Sequence, residues 1–127
     1  MDAVSYAAAL AKESGAALTV LHVMSHRTQG VGIPYEEPVA EVQAELDKLT
    51  SQEAWIATQI ESGVPYETIL SFAEKSEADL LVMNIHGKSG LERALLGSTA
   101  ERVIRGAPCP VLAVPPKEMQ QPRKQVS

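Results

Sequence analysis

The sequence predicts an α/β domain in which a mainly parallel β-sheet is enclosed by helices, the doubly wound arrangement. Segments with apolar residues at a helical period of about 3.6 alternate with short, apolar, partly β-branched runs typical of strands. Turns rich in glycine and proline separate the segments. Such alternation implies right-handed helical crossovers on both faces of a parallel sheet. The length of 127 residues suits one domain of this kind.

The first half of the chain predicts two helices and two strands. An apolar stripe at helical spacing marks the first helix, formed by Val4, Ala7, Ala8 and Ala11, with Gly15 at its end. Residues 18–23 predict a strand that is buried on both faces, and residues 24–38 predict a loop. The second helix has its stripe at Val39, Val42, Leu46 and Leu49. Alternation over 56–60 predicts a weaker strand at the edge of the sheet.

The second half of the chain also predicts alternating helices and strands. Gly63 and Val64 form a turn that places Pro65 at the start of a third helix, where its missing N–H costs nothing. Residues 80–83 carry the strongest strand signal in the chain. A fourth helix follows, with one face formed by Ala100, Val103, Ile104 and Ala107, and residues 111–114 predict the last strand. We expect one domain over 1–116 and a frayed polar tail over 117–127.

Composition excludes several functions. A net charge of −5 argues against a sequence-independent grip on nucleic acid, which needs clustered lysine and arginine. The single cysteine, Cys109, cannot form an intrachain disulfide, which fits a reducing compartment. No apolar run approaches the roughly 20 residues that span a bilayer. We therefore expect a cytoplasmic protein that binds neither nucleic acid nor membrane.

The segment from Asn84 to Ser98 carries the chemistry. It lies between a predicted strand and a predicted helix, and ligands of open α/β sheets bind beyond the carboxyl ends of the strands. Gly87 and Gly97 have no Cβ, so the backbone there could approach a phosphate closely or adopt positive φ. Ser98 and Thr99 follow at the start of the helix, where free N–H groups favour an anion.

This region resembles the ATP-binding branch of the universal stress protein family. The branch carries Gly, two residues, Gly, nine residues, then Gly followed by Ser or Thr, and the spacing from Gly87 to Gly97-Ser98 matches. Residues 79–83, 86–91, 95–104 and 107–114 look like the C-terminal half of the family, and residues 6–23 and 63–78 extend the likeness. The resemblance implies the adenine nucleotide alpha hydrolase-like fold.

The resemblance also implies a ligand and its site. ATP or AMP, with Mg²⁺ on the phosphates, would lie against Val23, Met83, Asn84, His86, Gly87, Gly97, Ser98 and Thr99. No catalytic residue and no protein-held metal are expected, because no general base is visible and no second ligand accompanies His86. Hydrolysis would be slow at most. In the family the last strand pairs with its copy, so we also expect a homodimer through 111–114.

The sequence departs from the family at two places. Asn84 replaces the first glycine, and asparagine tolerates the left-handed region better than most residues do. The strand with which the family opens, ending in an Asp that helps hold adenine, has no counterpart here. It would lie between 18–23 and 80–83, so the sheet lacks its first central strand and an upstream segment is expected in the natural protein.

Alternative interpretations remain open. Ser98-Thr99-Ala100-Glu101 has the form of a capping box, which would explain the serine without a ligand. Lys88 and Arg93 could contact a triphosphate or be ordinary exposed loop charges. The rival function is a homodimeric scaffold or regulatory protein without nucleotide binding, which Asn84 and the absent Asp favour. A phosphotransferase would need an arrangement of Asp, His or Arg that the sequence does not contain.

Overall fold

The computed structural model describes residues 3–24, 27–29, 33–35, 38–51, 53–85 and 97–115. Helices and strands alternate along these ranges, which confirms the predicted α/β class. The predicted tail over 117–127 lies outside the described residues. In chain order the elements are α1 Ala3–Ser14, β1 Thr19–Met24, β2 Arg27–Gln29, β3 Ile33–Tyr35, α2 Val39–Leu49, β4 Ala57–Ser62, α3 Pro65–Lys75, β5 Leu81–Asn84, α4 Ser98–Gly106 and β6 Val111–Val114.

The prediction of a loop over 24–38 is wrong in part. β2 and β3 pair in antiparallel register, with Thr28 opposite Pro34 and Gln29 opposite Ile33. The signal was present, because β-branched and aromatic residues flank a three-residue connection that contains two glycines, a combination typical of a hairpin. The segment was predicted to be a loop because its glycines and prolines are also typical of irregular connections.

The main strands form two separate parallel pairs. β1 pairs with β4 from Thr19 opposite Ala57 to Met24 opposite Ser62. β5 pairs with β6 from Leu81 opposite Val111 to Asn84 opposite Val114. Among the described residues no ladder joins β1 to β5, so each pair is a two-stranded sheet. This break lies where the sequence predicted that a central strand is missing.

The helices pack against both pairs of strands. α1 packs on β5, α2 packs on β4, and α3 packs on β1 and β4. α4 packs on α3. Arg102 of α4 lies 4.8 Å above the ring centre of Tyr66 of α3. Lys12 of α1 forms an ion pair with Glu53, which lies shortly after α2, at 2.6 Å.

The core is formed mainly by side chains of the four helices that are buried from solvent. The buried apolar residues are Ala3, Ala7, Ala11, Val42, Leu46, Ile56, Ala73, Ala100, Val103 and Val114. The prediction that 18–23 is buried on both faces is wrong, because the apolar side chains of β1 are half-buried. Those of β5 are half-buried as well, and Leu80 is 44% exposed. Strands in the middle of a parallel sheet are covered on both faces and both edges. Here no described strand covers the edge that β1 and β5 each leave open.

Candidate functional site

The carboxyl end of β5 meets the start of α4. The N–H of Ile85 donates to the carbonyl of Val114 at 2.9 Å, which continues the β5–β6 ladder by one residue. The N–H of Gly97 donates to the carbonyl of Ile85 at 3.1 Å. This second bond holds the N-terminus of α4 beside the end of the sheet, where ligands of open α/β sheets bind.

The first turn of α4 carries N–H donors that no described residue accepts. Gly97 is the N-cap, with φ −63° and ψ 151°, and having no side chain it makes no side-chain cap. The first bond of the helix runs from the N–H of Glu101 to the carbonyl of Gly97 at 2.9 Å. In the described part of the chain no acceptor meets the N–H groups of Ser98, Thr99 and Ala100. These three donors and the positive end of the helix dipole favour an anion.

The structure decides between alternatives that the sequence left open for Ser98 and Gly97. A capping residue precedes the first helical residue, whereas Ser98 is itself the first residue of α4, so the capping box does not form. Gly97 has negative φ, so its conformation does not require glycine. Gly97 is nevertheless buried, and the absence of Cβ leaves its backbone open to close contact.

Asn84 has a role that the sequence did not reveal. It is the last residue of β5, and its Oδ1 accepts a hydrogen bond from the N–H of Ala3 at 3.1 Å. Ala3 begins α1, so the Asn84 amide satisfies one of the open donors at that helix start. Asn84 does not adopt the left-handed conformation that asparagine tolerates, because in the described ranges Glu77, at φ 53°, is the non-glycine residue with positive φ.

The remaining predicted site residues divide into two groups. Val23 lies near the end of β1 opposite Glu61, and Met83 lies in β5 opposite Ala113; both are half-buried. His86 and Gly87 lie outside the described residues, as do Lys88 and Arg93. The structure therefore brings Asn84, Gly97, Ser98 and Thr99 to one end of β5, while Val23 belongs to the other pair of strands.

The described ranges contain no cluster of three or more His, Cys, Asp or Glu side chains placed to hold a metal ion. They also contain no helix that is long and apolar enough to cross a membrane. The chemical resources at the end of β5 are thus backbone N–H groups, an amide and two hydroxyl groups.

Helices that alternate with parallel strands place this chain in the class of α/β proteins. The sequence model of the universal stress protein family matches residues 1–115, and the chain belongs to that family. It is 44% identical over 133 aligned positions to the universal stress protein MJ0531 of Methanocaldococcus jannaschii, covering 93% of this chain and 77% of the relative.

Solved structures agree with this assignment. The universal stress protein UspA from Lactobacillus plantarum superposes with a TM-score of 0.69 at 26% identity, over 88% of this chain and 86% of the other. A universal stress protein in complex with cAMP superposes with a TM-score of 0.63 at 25% identity, over 88% and 83% of the two chains. The family and the fold are therefore established, and one similar structure holds an adenine nucleotide.

Proposed function

We propose that this chain binds an adenine nucleotide, ATP or AMP, and acts as a regulatory protein in a stress response. The observation that carries the proposal is the set of three N–H groups at Ser98, Thr99 and Ala100 that find no acceptor among the described residues and are held beside the end of β5 by the Gly97–Ile85 hydrogen bond. A phosphate accepts such donors readily, and the positive end of the helix dipole adds to the attraction. The similar structure with bound cAMP supports an adenine nucleotide as the ligand class.

The proposed pose follows from the order of the strands. The phosphates would lie at Gly97, Ser98 and Thr99, where Ser98 is exposed and Thr99 half-exposed. The base and ribose would lie toward Met83 and Asn84 at the end of β5 and Val23 at the end of β1. His86 and Gly87 would complete the phosphate loop, and Mg²⁺ would be carried by the phosphates. No residue described at this edge is placed to act as a general base, so binding without rapid hydrolysis is expected.

Substitution of Gly97 by Val tests this site. Gly97 is buried and its φ is negative, so valine can adopt the backbone conformation but places three carbons where the phosphate would approach. We expect titration calorimetry with ATP to show at least about a hundredfold weaker binding for Gly97→Val, equivalent to about 2.7 kcal/mol. Glu74→Gln, an exposed change on α3, is the control and should leave affinity unchanged.

The circular dichroism spectrum must match that of the parent, so that lost binding is not lost folding. Equal ATP affinity in Gly97→Val and the parent would contradict the assignment of the phosphate site. Mass spectrometry of nucleotide released from denatured protein provides the second readout.

The second candidate function is a scaffold or regulatory protein that binds no nucleotide. One observation favours it: the Asn84 amide, at the position where the nucleotide-binding branch has its first glycine, is engaged by the N–H of Ala3. A side chain fixed there occupies space next to the expected ribose. Absence of nucleotide both in purified protein and in calorimetric titration would favour this second function.

We further propose a homodimer through β6. One edge of β6 pairs with β5, and in that ladder the carbonyls of Pro110 and Val114 face β5. Because N–H and C=O of one residue in a parallel strand point to the same side, those of Val111 and Ala113 face outward. Leu112 is 37% exposed, and an open apolar edge is a template for pairing. Pro115 and Pro116 would end the shared ladder.

Ala113→Pro tests the dimer, because it removes an outward N–H without removing a donor to β5. We expect sedimentation velocity to show a dimer for the parent and a monomer for Ala113→Pro. A parent that sediments as a monomer at every concentration would contradict the proposal. The cytoplasm as the location rests on the single cysteine and stays part of the proposal.

A further inference from the structure

The side chain of Asn84 has a defined orientation at the end of β5. The two ends of an amide group differ chemically, because its oxygen only accepts hydrogen bonds and its nitrogen only donates them. The main-chain N–H of Ala3 is a donor, so the atom of Asn84 that lies 3.1 Å from it is the oxygen Oδ1. The amide nitrogen, Nδ2, is therefore directed away from the contact with Ala3.

The two N–H groups of Nδ2 are available to a ligand. Asn84 is exposed and is the last residue of β5. Among the described residues no acceptor lies against Nδ2. Water can satisfy these donors while the site is empty. A ligand group that displaces this water must itself be an acceptor, because an amide nitrogen left without a partner costs free energy.

Asn84 lies close to the proposed phosphate site. The next residue, Ile85, accepts the hydrogen bond from the N–H of Gly97 at 3.1 Å. Asn84 is thus separated from the N-cap of α4 by one residue and one hydrogen bond. A ligand whose phosphates accept from the first turn of α4 would place the group next to its phosphates beside Asn84. In a nucleotide this group is the ribose, and its hydroxyl oxygens are acceptors.

The contact with Ala3 also prepares Asn84 for binding. An unattached surface side chain samples several rotamers, and a ligand that holds it in one of them must offset the lost entropy. The hydrogen bond from Ala3 to Oδ1 already restricts the Asn84 side chain in the free protein. The donors of Nδ2 are therefore held in position before a ligand arrives, which makes a contact with them more favourable.

We propose that Asn84 is a specificity-determining residue whose Nδ2 donates a hydrogen bond to a ribose hydroxyl oxygen, so that the site prefers ribonucleotides to deoxyribonucleotides. This inference rests on the proposed function, the binding of an adenine nucleotide, and names the part of the nucleotide that Asn84 recognises. It gives the Asn84 side chain a role opposite to the obstruction of the ribose that favours the second candidate function.

Titration calorimetry with ATP, 2′-deoxy-ATP and 3′-deoxy-ATP tests the proposal on the 127-residue chain. Each analogue lacks one ribose hydroxyl and keeps the base and the triphosphate. We expect one analogue to bind about fivefold more weakly than ATP, the size of one hydrogen bond at an exposed position. The analogue that loses affinity identifies the hydroxyl that Asn84 contacts. This comparison of nucleotides requires no variant of the protein.

The variant Asn84→Ala completes a double-mutant cycle. It should bind ATP about fivefold more weakly than the parent, and should bind ATP and the weaker analogue equally well. Loss of the acceptor for Ala3 affects all three nucleotides alike, so it cancels in the ratio of their affinities. Gln59→Ala removes an exposed amide group from β4 and is the matched control, which should keep the nucleotide preference of the parent.

Three results would overturn this role of Asn84 and leave nucleotide binding intact. The first is equal affinity of the parent for ATP and both deoxy analogues. The second is tighter binding of ATP by Asn84→Ala, because the side chain would then obstruct the ribose. The third is a preference for ATP over the analogues that persists in Asn84→Ala. A parent that binds none of the three nucleotides would instead contradict the proposed function, and this role with it.

Discussion

Helices α1, with 12 residues, and α4, with 9, are held in place in different ways. α4 buries Val103 completely, at 0% exposure, and Ala100 at 2%. α1 buries Ala3, Ala7 and Ala11, and its larger residues Tyr6 and Leu10 are exposed. Alanine removes little apolar area from water, so packing alone stabilises α1 less than α4. Polar contacts hold α1 at both ends: Asn84 at Ala3 and Glu53 at Lys12.

The comparison shows that a helical period in the sequence identifies the buried face of a helix. It does not reveal how much the packing of that face stabilises the helix. Both stripes have the same spacing, yet α4 depends on apolar packing and α1 depends partly on residues remote in sequence. Three predictions test this difference, beginning with the largest effect.

Val103→Ala should destabilise the chain by about 2 kcal/mol, because it removes two buried methyl groups and leaves a cavity that α3 and α4 only partly refill. Ile104→Ala is the matched control on the next residue of α4. Ile104 is 44% exposed, and alanine has the higher helix propensity, so this change should cost less than half as much. Urea unfolding followed by circular dichroism measures both. Equal costs would contradict the view that α4 depends on Val103.

Much of this helix layer could be predicted from sequence. Val103 and Ala100 lie on the predicted face, Pro65 begins α3 as predicted, and β6 has the predicted bounds. Local periodicity and turn residues determine such features, and both are visible in a short window. The hairpin of β2 and β3 was missed because its glycines also fit an irregular loop.

The candidate site was less accessible to sequence reasoning. The position of Gly97 and Ser98 at the start of a helix followed from motif spacing. The Asn84–Ala3 hydrogen bond joins residues 81 positions apart, and no local pattern encodes it. The half-burial of β1 and β5 was also unexpected, since an apolar strand becomes buried only if neighbours cover it. An apolar composition indicates which strands tend to be buried. Only the topology shows whether neighbouring strands and helices shield them from water.

Asn84→Ala should have the second largest effect. It removes the acceptor of the Ala3 N–H, which leaves a part-buried donor at the start of α1 unsatisfied. We expect a loss of about 1 kcal/mol, similar to the loss of a helix cap. Asn84→Asp keeps an oxygen acceptor and adds a negative charge at the positive end of α1, so it should retain most of the stability. If Asn84→Asp were as destabilising as Asn84→Ala, the hydrogen bond to Ala3 would not be the cause.

The ion pair at the other end of α1 should have the smallest effect, and one that depends on pH. Hydrogen bonding to Lys12, and then to the indole of Trp55, lowers the pKa of the Glu53 carboxyl below its ordinary value of 4.5. Since the folded pKa is lower than the unfolded one, this contact stabilises the protein above about pH 4.5, and the stabilisation is lost as pH falls through the folded pKa. The Lys12 side chain is 56% exposed and that of Glu53 27%, so solvent and salt screen the pair strongly.

Lys12→Gln isolates this contribution. The difference in free energy of unfolding between parent and variant should be small at pH 7 in low salt, and should decrease both in high salt and below the folded pKa of Glu53. Urea titrations at pH 7 and pH 3 measure it, and carbon NMR of the Glu53 carboxyl should show its pKa rising in Lys12→Gln. A difference that persists unchanged at pH 3 would mean that Lys12 acts through the packing of its methylene chain. The polar attachment of α1 would then depend on Asn84 alone.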